Sequence, residues 1–406
     1  STLSNGIKLI VWPSHVSHTI QVSGQVRTTP SLQQPAGQDG VNDVTEALFS
    51  YGTTRYDRLA FQKALDDIPA WESAGSTFSL QVLTPDFAKG VALLADNELH
   101  PAFGEKDFQV VRQQAAQAQA GELLSPEHLF SRAIKMAVLP PKDPTLREAT
   151  PQSIMSVTRD DVLAYYKKVW RPDVTTIVVT GDVSPEKAQA VMEQAFGSWK
   201  AEGPAPDIDL PAVPLSKASH ALVPDKSSVQ DEVVLAETLG LTAAQPDHFM
   251  LQLGNEVLGG GLFSSRLYRD LRVKTGYVYT VGSAFDWGRT RGLYTVNYGA
   301  DPDKVGKAQA AAVRDIKAMQ SAPPSDDELA LAKASLLRSI PLARASLDRI
   351  AAQYLHLTEL GLPLDNADRG ALAYYNATGA DVQAAFGKWI RPDDLSSIVK
   401  GPAPAP

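Results

Sequence analysis

A guanidinium and a phenol lie on either side of a glycine in the stretch Leu271-Arg272-Val273-Lys274-Thr275-Gly276-Tyr277-Val278-Tyr279-Thr280. Both groups are hydrogen-bond donors, the arginine through several N–H groups and the tyrosine through one O–H. Upstream, Leu262, Arg266, Leu267, Arg269, Leu271 and Arg272 recur at helical spacing. Downstream, Tyr277, Tyr279 and Val281 alternate as one face of a strand. Gly276 marks the break, because helices commonly end on a residue that tolerates positive φ. The pattern predicts Arg272 at a helix end and Tyr279 on the strand that follows, both at one mouth. The plain alternative is a surface arginine and a half-buried strand tyrosine, since short motifs often match by chance.

The elements that must position such a pair belong to a chain of 406 residues, long enough for two or three domains. Hydrophobic residues make up 44% and charged residues 21%, with a formal charge of −8. That balance argues against nucleic acid or an anionic membrane as the main partner. With no cysteine there is no disulfide, thiolate metal site or cysteine nucleophile. No apolar run is long enough to span a bilayer. The polar start Ser1–Gly6 runs straight into a strand-like Ile7–Trp12, so no leader is expected in this stretch, as in a mature form.

Along the chain, Ile7–Val11 and Thr19–Val26 read as strands and Val41–Phe49 as a short helix stopped at Gly52. Phe61–Ile68, Pro85–His100, Asp107–Glu122 and Ser156–Val169 read as helices, with strands at Ser76–Leu83 and Thr175–Thr180. Ala201–Ser216, carrying Pro204, Pro206, Pro211 and Pro214, reads as a linker. The pattern then restarts. Thr158, Asp161, Val162, Ala164, Lys168, Arg171, Pro172, Asp173, Val179 and Gly181 recur without a gap 220 positions later, from Thr378 to Gly401. Phe78–Leu83 likewise parallels Tyr294–Gly299, and the helix at Asp107 parallels one opening at Ser325 with a capping-box pattern. The expectation is α+β: two copies of one domain, each a mainly antiparallel sheet backed by helices. The domains fall at 1–203 and 215–406 about a linker at 204–214.

Gly40-Val41-Asn42-Asp43-Val44-Thr45-Glu46-Ala47-Leu48, closed by Gly52-Thr53, resembles the zinc helix of the pitrilysin/insulinase family of metallopeptidases. There, H-x-x-E-H sets two histidines one turn apart on zinc, with the glutamate as general base for the bound water. Ser265-Arg266-Leu267, Leu271-Arg272 and Gly276 to Tyr279 resemble a second signature of that family. The resemblance extends over nearly the whole chain and fails where catalysis would lie. Asp43 and Ala47 stand at the histidine positions, and only Glu46 is kept. Where the distal ligand is expected stand Gln113, Gln114, Gln117 and Gln119, which are poor zinc ligands. No metal is therefore expected in this chain, and Glu46 reads as an ordinary helix glutamate. His15 and His18 are close in sequence but are expected to be surface residues on different faces. Gly259-Gly260-Gly261 lacks the Lys-Ser/Thr of a phosphate loop and reads as conformational. Asn376-Ala377-Thr378 is a chance-level glycosylation match, and the tail from Gly401 reads as a disordered end.

The resemblance implies one half of a clamshell: the non-catalytic subunit of a heterodimeric zinc metallopeptidase, inactive alone, with zinc in a homologous partner. Arg272 and Tyr279 would act in the partner's site, donating to the carbonyl of an unfolded peptide and to its oxyanion. Gram-negative pairs of this kind point to the periplasm, with the cytoplasm as the alternative. A catalytically dead scaffold and a peptide-binding module of the same fold are the rival readings.

Overall fold

Alternating β-branched and aromatic residues build two five-stranded sheets in the computed structural model, which describes residues 1–402. The first comprises β1 (Lys8–Pro13), β2 (Thr19–Val26), β3 (Trp71–Ser73), β4 (Thr77–Leu83) and β5 (Thr175–Gly181), in the order β1-β5-β2-β4-β3. The second comprises β6 (His220–Pro224), β7 (Asp231–Leu239), β8 (Val278–Trp287), β9 (Gly292–Ala300) and β10 (Ser396–Gly401), in the order β6-β10-β7-β9-β8. One path is taken twice. In each half the last strand enters between the first two, parallel to the first and antiparallel to the second. The remaining pairings are antiparallel. The expected α+β class and its duplication are borne out.

The repeat preserves the residues that fix local backbone. Thr158 and Thr378 each cap a helix, Arg159–Val169 and Gly379–Trp389, through a box closed by Asp161 or Asp381. The first of these caps divides the helix expected over Ser156–Val169, leaving a separate short helix at Pro151–Ser156. Arg171 and Arg391 occupy equivalent places with different partners. Arg171 is buried and gives its Nη1 to the carbonyls of Glu202, Gly203 and Pro204 at 2.7–3.2 Å, which ties down the proline-rich segment. Arg391 instead pairs with the buried Glu237 at 3.0 Å. The last four residues of the tail lie outside the described residues.

The chain divides into two compact units that are not contiguous in sequence. The first holds Ser1–Gly121, Arg147–Leu210 and Ala343–Glu359; the second holds Glu122–Leu146, Pro211–Leu342 and the chain from Leu360. The contiguous division expected from the repeat thus differs in two helical segments. The reason is burial. β5 and β10 are buried along their full length, so each sheet must be covered on both faces. In the second unit the helix Pro126–Val138 supplies the second cover. Its Phe130 and Val138 form a small core with Val223, Val234, Ala236 and Ile398. Lys400 pairs with Glu127 at 2.7 Å and stands 5.2 Å over the Phe130 ring. In the first unit Tyr354, on the helix Leu347–Leu360, packs its ring 5.8 Å from that of Trp12.

Residues 211–402 expressed without the helix Pro126–Val138 should therefore fail to give a cooperative unfolding transition. In the full chain Phe130→Ala should cost about 3–5 kcal/mol, as truncation of a buried aromatic does. Denaturant unfolding checks both; a cooperative, soluble 211–402 fragment would contradict the assignment of that helix.

Candidate functional site

In the first unit the helix Val41–Leu48 buries Val41, Val44, Thr45 and Leu48, leaving Asp43 and Ala47 exposed. Glu46 is half-buried and turns to the β3–β4 turn, where its carboxylate accepts the Ser76 N–H at 3.1 and 3.3 Å. Next to it Glu98, fully buried on the helix Phe87–Leu99, accepts the Gly75 N–H at 2.7 Å. Glu72 on β3 accepts from Asn97 at 3.1 Å. Two consecutive amides are thus held by two carboxyls. Glu46 is not the ordinary helix glutamate of the sequence reading; it is a strut.

Burial dominates the electrostatics of this group. It raises Glu72 to about 7 and lifts Glu98 well above the glutamate range, with Glu72 and Glu46 adding like-charge repulsion to Glu98. Glu46 is raised by the same desolvation, offset in part by the Ser76 bonds. Zinc does not fit here. Ala47 offers no donor atom, and the carboxylate of Glu46 is committed to Ser76. Gln113, Gln114 and Gln117 are exposed, and Gln119 donates to the Ala149 carbonyl at 3.0 Å. His15 and His18, expected on different faces, both reach Asp182, at 2.6 and 3.1 Å. The β1–β2 turn brings the two exposed rings together beside the end of β5.

In the second unit the predicted helix before Gly276 forms, but as a wide π-helical turn, Tyr268–Lys274. Such turns are rare and frequently mark functional sites. A second one, Glu256–Gly260, takes up the start of the glycine run. Gly276, at φ +62°, ends the Tyr268–Lys274 turn, and Tyr277 N–H closes it by donating to the Leu271 carbonyl at 2.9 Å. β8 then opens with a bulge: Val278 faces Ala300 and Thr280 faces Gly299, leaving Tyr279 as the extra residue. A bulge re-aims the side chain it carries.

The guanidinium and the phenol do meet. Arg272 lies 5.7 Å over the Tyr279 ring and donates to the Val278 carbonyl at 3.3 Å. Both side chains are exposed. The Tyr279 hydroxyl donates to Asp301 at 2.8 Å, and Asp301 pairs with Lys304 at 2.8 Å. That bond to a carboxylate raises the phenol's pKa. Asp301 and Lys304 escaped the sequence reading because only the pairing of β8 with β9 carries them to Tyr279. Earlier in the same segment, Arg266 and Arg269 are held at 2.7 and 2.9 Å by Glu328, at the start of the helix Asp326–Ala343, and its carboxyl falls to about 2.

Comparison with known proteins bears on both places. Residues 156–336 match the family described as "Peptidase M16 inactive domain". Over 98% of its length the chain is 22% identical to a protein of Rickettsia bellii named "Uncharacterized zinc protease", covering 90% of it. The similarity to the M16 peptidase family thus rests on residues 156–336 and on distant relatives that span nearly the whole chain. The chain is also 22% identical to a Bacillus subtilis protein named "Uncharacterized zinc protease YmxG", over 75% of this chain and 74% of that one. The fold of this chain matches the crystal structure of a peptidase M16 inactive domain from Pseudomonas fluorescens. The TM-score is 0.87 at 23% identity, over 100% of this chain and 99% of that one. It also matches the periplasmic protease PqqL of Escherichia coli, with a TM-score of 0.81 at 16% identity over 99% of this chain and 45% of PqqL.

A Cβ on Gly75, at φ +135°, would stand 2.5 Å from the Glu46 carboxylate. Gly75→Ala should destabilise the chain by about 1–3 kcal/mol, combining backbone strain with that clash. Glu46→Ala should cost about 1–3 kcal/mol by leaving the Ser76 N–H without its acceptor. Because the two groups touch, the double variant should lose less than the sum. Denaturant midpoints read the coupling; strictly additive losses would show that Glu46 does not press on this turn.

Proposed function

We propose that this chain is the non-catalytic half of a two-chain zinc peptidase and supplies Arg272 and Tyr279 to a site whose metal is held by a homologous partner. The observation that carries this reading is the exposed Arg272–Tyr279 contact on a bulged edge strand, in a chain whose own H-x-x-E-H positions hold Asp43 and Ala47. The PqqL match supports the pairing of halves, because a fold of this size accounts for 45% of that chain. We propose the periplasm as the compartment on the same neighbour.

The chemistry follows from the donors. A peptide carbonyl gains negative charge as it is attacked, and fixed donors aimed at that oxygen bind it most strongly when the charge is fullest. Arg272 has N–H groups to spare beyond the one given to Val278. Tyr279 must turn its hydrogen from Asp301 to the oxygen, and the short hydroxyl arc lets it do so without moving the ring. Lys304 then balances the Asp301 charge left behind.

A second reading, capture of extended peptide without cleavage, is favoured by β8 itself. It is a ten-residue edge strand with no proline and no lysine or arginine, the usual guards of an open edge.

Tyr279→Phe removes only the hydroxyl. Mixed with a zinc-bearing homologue, it should lower kcat by roughly 10²–10³-fold on a cleaved peptide while the two chains still associate. Arg272→Ala should act similarly, and the double variant should fall short of the product of the two losses. Full turnover by an assembled double variant would reject the catalytic role and favour peptide capture or a scaffold.

A further inference from the structure

We infer that Glu46, Glu72 and Glu98 form a proton-operated latch on the β3–β4 turn: protonated, they hold Gly75, Ser76 and the edge strand β3; ionised together, they repel and release the turn. The inference goes beyond the proposed peptidase role and does not depend on it.

Three elements bring the carboxyls to one place: the helix Val41–Leu48, β3 and the helix Phe87–Leu99. Two of them grip consecutive backbone amides, Glu98 that of Gly75 and Glu46 that of Ser76. The third, Glu72, sits on β3 itself and is held by Asn97, the residue before Glu98. The turn between β3 and β4 is therefore fixed by carboxyl oxygens. β3 has only three residues at the edge of its sheet, so little else holds it.

Glu98 shows that a proton belongs in this group. Its side chain is fully buried, one oxygen accepts from Gly75, and Oε2 has no hydrogen-bond partner. An ionised carboxylate so placed would carry a full charge with half its acceptors empty, which is costly. A neutral carboxyl instead avoids burying that charge. The charges bearing on Glu98 are those of Glu72 and Glu46, and the charge bearing on Glu46 is that of Asp43. The other polar groups packed here are Asn97, Tyr165 and Tyr166. Tyr165 gives its hydroxyl to Asn42 and Tyr166 gives its own to the Glu98 carbonyl, so neither phenol neutralises a carboxylate.

The direction of the pH effect follows. Burial lifts Glu72 from 4.5 to about 7 in the folded chain. The native state then holds more protons than the unfolded one. The stabilising contribution is complete below the ordinary glutamate range and is lost as pH rises through about 7. Glu98, lifted in the same direction, extends the loss to higher pH.

The test is denaturant unfolding of the full chain at pH 5 and pH 8, comparing wild type with Glu72→Gln, Glu98→Gln and the double variant. Glutamine keeps a carbonyl acceptor and an N–H donor but cannot ionise. Wild type should lose on the order of 100-fold in its folding constant across that range through Glu72 alone, and Glu72→Gln should abolish that part. At pH 8 the amides of residues 74–77 should exchange hydrogen faster in wild type than in Glu98→Gln, with no difference at pH 5. Infrared spectra at pH 7 should show a protonated carboxyl band that weakens in Glu98→Gln. If the double variant does not fold, Glu72→Gln alone carries the stability test, since it disturbs only the bond from Asn97. A wild-type pH response retained in Glu72→Gln, or equal exchange of these amides at pH 8, would overturn the latch.

Discussion

Burying β5 and β10 on both faces is the constraint from which the rest of this structure follows. Each is the last strand of its half, yet each runs between the first two, and every residue of both is buried. A sheet with such a centre needs a helical layer on either side. In the second unit one layer comes from its own repeat and the other from the helix Pro126–Val138, encoded in the first half of the sequence. The duplication is thus complete at the level of strand order, while the packing draws on both halves of the chain.

The same two-layered frame explains where chemistry can sit. The strands at the open edges, β3 and β8, are equivalent in the repeat but have diverged. β3 is three residues long and its turn is held by carboxyls, one of them Glu46. β8 is ten residues long and begins on the bulge that turns Tyr279 toward Arg272 and Asp301. With Asp43 and Ala47 beside it on the helix, Glu46 bonds backbone, accepting the Ser76 N–H. The donor pair in the other unit is exposed.

Much of this was legible in the sequence, for identifiable reasons. The repeat showed because the residues that set local backbone, the Thr158 and Thr378 caps and the Arg-Pro strand entries, sit at one fixed offset. That Ala47 offers no donor atom is legible because it rests on residue type alone. The meeting of Arg272 with Tyr279 showed because a helix end, a glycine and a strand start are local signals. The segment exchange did not show, since the apolar stripe of Pro126–Val138 says that it is buried and not against which sheet. The carboxyl group did not show either. Glu46, Glu72 and Glu98 are joined only by tertiary structure, and each alone looks like a solvated glutamate. The π-helical turn was also hidden, because π and α turns differ by one residue in their bonding and not in composition.

The proposed role puts the catalytic metal in another chain, with this one completing its site. The direct measurement is zinc content and peptide cleavage for this chain, for a homologue that retains H-x-x-E-H, and for their equimolar mixture. The expected result is no stoichiometric zinc and no cleavage for this chain, zinc in the homologue, and turnover of an unstructured peptide in the mixture well above that of either chain. Tightly held zinc with cleavage by this chain alone, or a mixture no more active than the homologue, would contradict it.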